Sequence, residues 1–453
     1  MTCHILCDFL RDLSRVQPVK WLVNESNLTL SLSLESHTGT MARFSPTAPL
    51  RTFFVILPVA ITTGAACAGF LWALRLATQA QEEHSWLLFG LPFAGVLIAF
   101  LYERHGGRAG EGNNLILDAI HTSESQNPDD DSSLVPRRMA PLIVITTIAT
   151  HLFGGSAGRE GTAVQMGGAL GAGWARLLRL GREEKRLSLL CGVAAGFGGV
   201  FGTPLAGAIF ALEVLWRGRI ETEEAGVCLV AALLGDWTSR ALGTHHEIYR
   251  VAAAIGEGLD VLLTLKVAFA AIGFGLAARA FTELTHGVAR FFQARVPNPL
   301  WRPFWGGWGF IALTLLARTR EFNGLSLPLL GRSFDGSAVS PWAWAGKTVF
   351  TALTLGSGFK GGEVTPLFVI GATLGNALSG PLHAPVALLA ALGLVGVFAG
   401  ASKTPLASTF LGLELFGSSH APLFALACFV ATWTSGSRGI YSTQKRIERG
   451  SGS

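Results

Sequence analysis

Arg159 and Glu160 stand side by side in GGSAGREGTAVQMG, residues 154–167, between two strongly apolar runs. An ionisable residue at membrane depth is expensive, which marks Glu160 as functional. A second glycine-rich turn, GGEVTP at 361–366, places Glu363 ahead of another apolar run. Both stretches read as the start of a helix inside an apolar medium. Such a start carries unpaired N–H groups and the positive end of the helix dipole, and so holds an anion without a full positive charge. Glycines there let the backbone come close to the ion. The Glu160 carboxylate is drawn to the same donors as a free anion, so the two compete, and protonating Glu160 removes the competitor. Anion and proton movements become linked in that way. Three other readings compete: a solvated loop, a dinucleotide loop on Gly155, Gly158 and Gly161, and an acid/base group formed by Glu160 with Arg159 and His151. The dinucleotide loop needs a βαβ context that so apolar a chain lacks.

The elements that must position these residues are membrane helices. The chain has 453 residues, 50% hydrophobic and 14% charged, with 56 glycines; its mean hydropathy is +0.44. That composition fits a polytopic membrane protein and leaves too little charge to cover a soluble surface. The net charge of +5 lies in short clusters, RRMAP, GREEKR and STQKRIER, which read as membrane-flanking loops rather than a nucleic-acid surface. Cys3, Cys7, Cys67, Cys191, Cys228 and Cys428 show neither disulfide nor metal spacing. No metal and no cofactor is expected.

Apolar runs recur from Phe53 to about Trp433. Phe53 to Leu76 and Val261 to Phe281 are long enough to span a bilayer, for which about 20 apolar residues suffice. Others, PLIVITTIATHLFGG, LLCGVAAGFGGVFG, TPLAGAIFALEVLW and TPLFVIGATLGNALSG, are too short or are cut by Gly and Pro, and read as broken or re-entrant helices meeting inside the protein. GVFGTPLAGAIFALEVL is repeated as GASKTPLASTFLGLELF, and each copy has a glutamate, Glu213 or Glu414, nine residues after its proline. GREG and GGEVTP recur at a similar separation upstream. The functional site is expected where the two halves meet; the residues alone leave a parallel and an inverted repeat open. Residues 1–40, ahead of Met41, read as a disordered or mis-annotated extension.

GREG, TPLAG with its later LE, GGEVTP and GIYSTQ together resemble the CLC family of chloride channels and proton-coupled anion antiporters, from about residue 50 to the C-terminus. The resemblance implies an all-α polytopic membrane protein, an inverted repeat of tilted, partly re-entrant helices, in a homodimer with one pore per subunit. It implies a transport domain over 50–446 with halves of roughly 50–243 and 260–446, an N-terminal extension over 1–49, a short tail over 447–453 and no CBS domains. It implies that Glu160 gates and carries protons, that the Tyr441 hydroxyl reaches the central anion, and that Val364 and Thr365 lie where backbone N–H groups coordinate the ion. Gly158, Arg159 and Gly161 join them as anion-binding residues.

The departures from the chloride-selective pattern point further. Asn113, in GNNLI, replaces a serine; Thr162 replaces a proline; GEVTP puts Glu363 and Thr365 into the ion path; and Val214 stands where proton-coupled chloride exchangers carry a second glutamate. This combination resembles the fluoride/proton antiporter branch, with Glu363 as a second coupling carboxylate. Fluoride is small and strongly hydrated, and the Asn113 amide and Thr365 hydroxyl are suitable donors. The expectation is a transporter and not an enzyme, in a bacterial inner membrane, exporting fluoride in exchange for protons. Its partners are fluoride or chloride, protons and the bilayer, with no nucleic acid. A chloride/proton antiporter, a voltage-gated-type chloride channel and a membrane enzyme using Glu160 remain the alternatives. Glu213 and Glu414 read as structural, Lys360 either raises the local potential or snorkels to water, and His151 reads as a satisfied structural residue.

Overall fold

Apolar periodicity broken by Gly-Pro signals dictates many helices of unequal length. The computed structural model describes residues 19–23, 30–34, 48–123, 135–245, 260–335 and 339–446. Two strands, β1 (Val19–Val23) and β2 (Leu30–Leu34), pair antiparallel. The remainder of residues 1–40, on which the expectation of an extension falls, lies outside the described residues.

The first half comprises α1 (Ala48–Glu83), α2 (Leu91–Leu101), α3 (Asn113–Thr122), α4 (Met139–Leu152), α5 (Glu160–Leu177), α6 (Arg182–Phe201), α7 (Pro204–Glu213) and α8 (Ala225–Ala241). The second comprises α9 (Val261–Arg295), α10 (Arg302–Ala317), α11 (Leu327–Arg332), α12 (Ala343–Gly356), α13 (Val364–Leu382), α14 (Val386–Ser402), α15 (Pro405–Phe416) and α16 (Ala421–Thr434). Among the described residues, three stretches are long and apolar enough to cross a membrane: Phe54–Glu83, Ser85–Glu111 and Val261–Arg295. Asp260 fixes the start of α9 by accepting from the N–H groups of Leu262 and Leu263, at 3.1 and 3.3 Å. Helices α4, α7, α15 and α16 have only 10 to 14 residues. Each is short of a full bilayer crossing, as PLIVITTIATHLFGG and TPLAGAIFALEVLW led us to expect, whereas LLCGVAAGFGGVFG and TPLFVIGATLGNALSG lie in α6 and α13, continuous helices of 20 and 19 residues.

The repeat is visible as matched geometry. Helix α6 ends at Gly202 and α14 at Lys403, both left-handed, and a proline then opens α7 or α15. Lys403 holds this unusual backbone while its Nζ donates to Ser435 Oγ at 2.7 Å and Gly436 O at 2.6 Å. Helices α5 and α6 touch backbone to backbone at Gly167 and Gly192, and α13 and α14 do so at Gly371 and Gly393; in each pair a Cβ on either glycine would collide with the opposite carbonyl. Small residues are what permit such close packing between membrane helices.

Glu213, at the end of α7, accepts from the N–H groups of Leu406 and Ala407 at the start of α15, at 3.0 and 2.7 Å. Glu414, on α15, accepts from Leu205 and Ala206 at the start of α7, at 3.0 and 2.8 Å. Each helix therefore caps the N-terminus of the other, which requires them to run antiparallel. The repeat is inverted, and both glutamates have the structural role expected of them. Between the halves lies an aromatic cluster: Phe197 stacks on Phe210 with centroids 4.7 Å apart, and Phe398 lies 6.1 Å from Phe210 and 5.5 Å from Phe368. The four described cysteines are buried, free thiols.

Candidate anion path

The two glycine-rich turns meet. Gly158 N–H donates to Gly362 O at 2.6 Å, and Gly362 N–H donates to Gly158 O at 2.8 Å, forming an isolated antiparallel bridge. Glycine is required here, since a Cβ on Gly161 would lie 2.9 Å from the Gly362 Cα. The bridge brings the starts of α5 and α13 together at the junction of the halves. It also corrects one expectation: the Gly158 N–H is committed to Gly362, so Gly158 joins the loops and has no N–H left for an ion.

Glu160 lies across this junction. Its Oε2 accepts from the Thr365 N–H at 3.0 Å and from the Thr365 hydroxyl, and from the Arg159 N–H at 3.2 Å. Its Oε1 accepts from Arg159 Nε at 3.3 Å. The side chain is 1% exposed, against 20% for Arg159. The carboxylate thus occupies a set of N–H and O–H donors at a helix start, which is the arrangement a halide would take.

Around this centre the other sequence-predicted residues gather. Gly161 lies between Asn113 and Glu363: the position of its missing Cβ is 3.3 Å from Asn113 Nδ2 and 3.4 Å from Glu363 Oε2. Asn113 is the first residue of α3, Glu363 is the N-cap of α13, and Val364 is its first, buried residue. Tyr441 is 3% exposed and packs edge-on to Phe210 with centroids 6.3 Å apart. Lys360 neither points freely to water nor ends on a carboxylate: its Nζ donates to Gly110 O at 3.3 Å and sits 4.4 Å from the Tyr102 ring centroid. It ties the GGEVTP turn to the loop ahead of Asn113. Thr162 is turned away from the Thr365 donors, its hydroxyl paired with that of Thr147 at 2.8 Å.

The residues that hold the GREG turn in place were not foreseen. Helix α12 presents Lys347, Thr351 and Thr354 on one face. Thr351 Oγ1 pairs with Ser156 Oγ at 2.8 Å, and Ser156 N–H donates to Thr354 Oγ1 at 3.2 Å. Lys347, fully buried, donates to Phe322 O, Gly324 O and Ser326 Oγ at 3.2, 2.8 and 2.9 Å. Gly324 N–H in turn donates to Gly154 O at 3.2 Å. On the other side His151 places Nδ1 2.8 Å from Thr147 O and Nε2 3.0 Å from Ala157 O. Polar residues at helical spacing in an otherwise apolar α12 were the available signal.

Comparison with known proteins agrees with this geometry. The family model described as "Voltage gated chloride channel" matches residues 94–436. The chain is 45% identical over 396 residues to a chloride/fluoride channel protein of Pseudomonas syringae pv. tomato, covering 85% of this chain and 84% of that one. It is 28% identical over 325 residues to an H(+)/Cl(-) exchange transporter, ClcA, of Yersinia pestis bv. Antiqua, covering 67% of each. Among solved structures, that of a CLC-type fluoride/proton antiporter superposes with a TM-score of 0.83 at 34% identity, covering 90% of this chain and 100% of that one. A slow cyanobacterial Cl-/H+ antiporter shares the fold, with a TM-score of 0.73 at 22% identity, covering 86% and 96%.

Proposed function

Since this chain belongs to the CLC (voltage-gated chloride channel) family, we propose that it is a proton-coupled anion antiporter that exports fluoride in exchange for protons. The observation that carries the proposal is the Glu160 carboxylate bound by Thr365 and Arg159. When Glu160 takes a proton it loses its charge and its claim on those donors, and an anion takes them; when the anion leaves, the carboxylate gives up its proton and returns. Asn113, Arg159, Gly161, Val364, Thr365 and Tyr441 line the anion path, while Gly158 keeps the two helix starts together. Glu363 is the second coupling carboxylate, placed across Gly161 from Asn113.

Two features favour fluoride over chloride. One is the likeness to the P. syringae protein and to the fluoride/proton antiporter structure. The other is the donor set itself: Thr365 supplies a hydroxyl as well as an N–H, and strong close donors suit a small, strongly hydrated ion. Acid/base catalysis by Glu160 with His151 is disfavoured, because both His151 ring nitrogens face backbone carbonyls of Thr147 and Ala157. The transport domain is taken to span 50–446 and, as the family resemblance implies, to work as a homodimer; its place in a bacterial inner membrane is supported by the bacterial relatives and the apolar helices.

The test is efflux from proteoliposomes followed with a fluoride electrode and a pH probe. The wild-type protein is expected to take up protons as fluoride leaves. Glu160→Gln should abolish that coupling. Coupled exchange persisting in E160Q would reject the role given to Glu160.

A further inference from the structure

We propose that Gln165 is a selectivity-determining residue of the anion path, an inference that rests on the fluoride reading above and deepens it. Gln165 follows Gly161 by four residues on α5, so the two share a helix face. At Gly161 that face meets Asn113 and Glu363. One turn on, the Gln165 carboxamide lies against Gly112, with Nε2 3.4 Å and Oε1 3.7 Å from where a Gly112 Cβ would stand. Gly112 has φ +65° and immediately precedes Asn113, where α3 begins. The α5 face from Gly161 to Gln165 therefore covers the start of α3.

Three buried oxygens there have no hydrogen-bond partner among the described residues: Gln165 Oε1, Asn113 Oδ1 and Glu363 Oε2. Gln165 is 6% exposed and Asn113 8%. Buried acceptors are ordinarily paired, and an unpaired one calls for a ligand or a proton. A carboxamide offers both: turned one way it presents N–H donors, turned over it presents an acceptor oxygen. With the NH2 ends inward, Asn113 and Gln165 add donors to the N–H groups of α3 for a dehydrated fluoride. With the oxygen of Asn113 inward, the proton of a protonated Glu363 gains an acceptor. Neither side chain carries a charge that would trap the ion or the proton.

Fluoride is the stronger hydrogen-bond acceptor, so losing the Gln165 donor weakens fluoride more than chloride. A side chain that merely filled space beside Gly112 would treat both ions alike. Gln165→Met keeps the unbranched length and removes both polar atoms; Gln165→Asn keeps the carboxamide on a shorter stem. Fluoride and chloride efflux are measured in parallel in proteoliposomes of the wild type and both variants. The fluoride-to-chloride rate ratio is expected to fall about tenfold in Q165M, as for loss of a hydrogen bond to a charged group, with Q165N between the two. An unchanged ratio in Q165M, or equal loss for both ions, overturns the proposal. Where Q165M fails to reconstitute, Q165N decides: a lowered ratio supports the proposal and a wild-type ratio overturns it. A wild-type protein that carries chloride in preference to fluoride would instead defeat the fluoride reading, whatever the variants do.

Discussion

Glu160 holds its place with donors that would serve a halide equally well: the Thr365 N–H and hydroxyl, and the N–H and guanidinium of Arg159. The sign of the pH dependence follows from this competition. A protonated Glu160 no longer competes for these donors, so proton binding and fluoride binding favour one another and fluoride affinity is expected to rise as protons are supplied. E160Q, which cannot be charged, should bind fluoride with little dependence on pH. Fluoride titration of the purified protein by calorimetry at several pH values checks this; a wild-type affinity that rises with pH, or a pH dependence undiminished in E160Q, would contradict it. The importance of Glu160 was legible in the sequence, because a carboxylate beside glycines in so apolar a chain is costly to keep unless it acts on an ion or a proton. Its partners were only partly so. Thr365 was expected to line the anion path, not to hold Glu160, and Gly158 was expected to bind the ion but spends its N–H on Gly362, a contact between residues 204 positions apart (362 minus 158) that no local pattern reveals.

At the scale of elements, the short helices stand or fall by their caps. Glu213 is buried and satisfies two N–H groups of α15, whereas Glu414 is exposed and satisfies two of α7 where water also reaches. Replacing Glu213 by Ala leaves the buried Ala407 N–H unpaired, at about 1–3 kcal/mol, and the half-buried Leu406 N–H at less. Replacing Glu414 by Ala should cost less, about 1 kcal/mol or below, since solvent takes over. Thermal unfolding in one detergent compares them, and equal losses would show that the two caps are not distinguished by burial. The sequence displayed both glutamates at matching positions in the two copies, and hence a repeat. It did not display the direction of the repeat, because inversion is a property of how α7 and α15 face each other. Likewise the buttress of Lys347, Thr351 and Thr354 escaped notice, since hydroxyls in membrane helices commonly bond their own backbone, as the Thr354 hydroxyl also does to Phe350 O.

For the whole molecule, the inverted halves bring two helix starts and two carboxylates to one junction, and the proposed coupling rests on that meeting. Composition and broken apolar runs were enough to read a membrane protein with an internal repeat. The choice of fluoride was not written in composition; it came from the resemblance of Asn113, Thr162, Val214, Glu363 and Thr365 to the fluoride/proton antiporter branch, and from the likeness to a fluoride/proton antiporter structure. A coupled exchanger converts one gradient into the other, which a channel cannot do. The most direct measurement is therefore proton movement in proteoliposomes loaded with fluoride, with no initial pH difference and with membrane potential clamped at zero. Outward fluoride flow should drive protons inward against the gradient that builds up, and an equal chloride gradient should drive far fewer. Fluoride efflux without proton uptake, or equal proton uptake with chloride, would contradict the account.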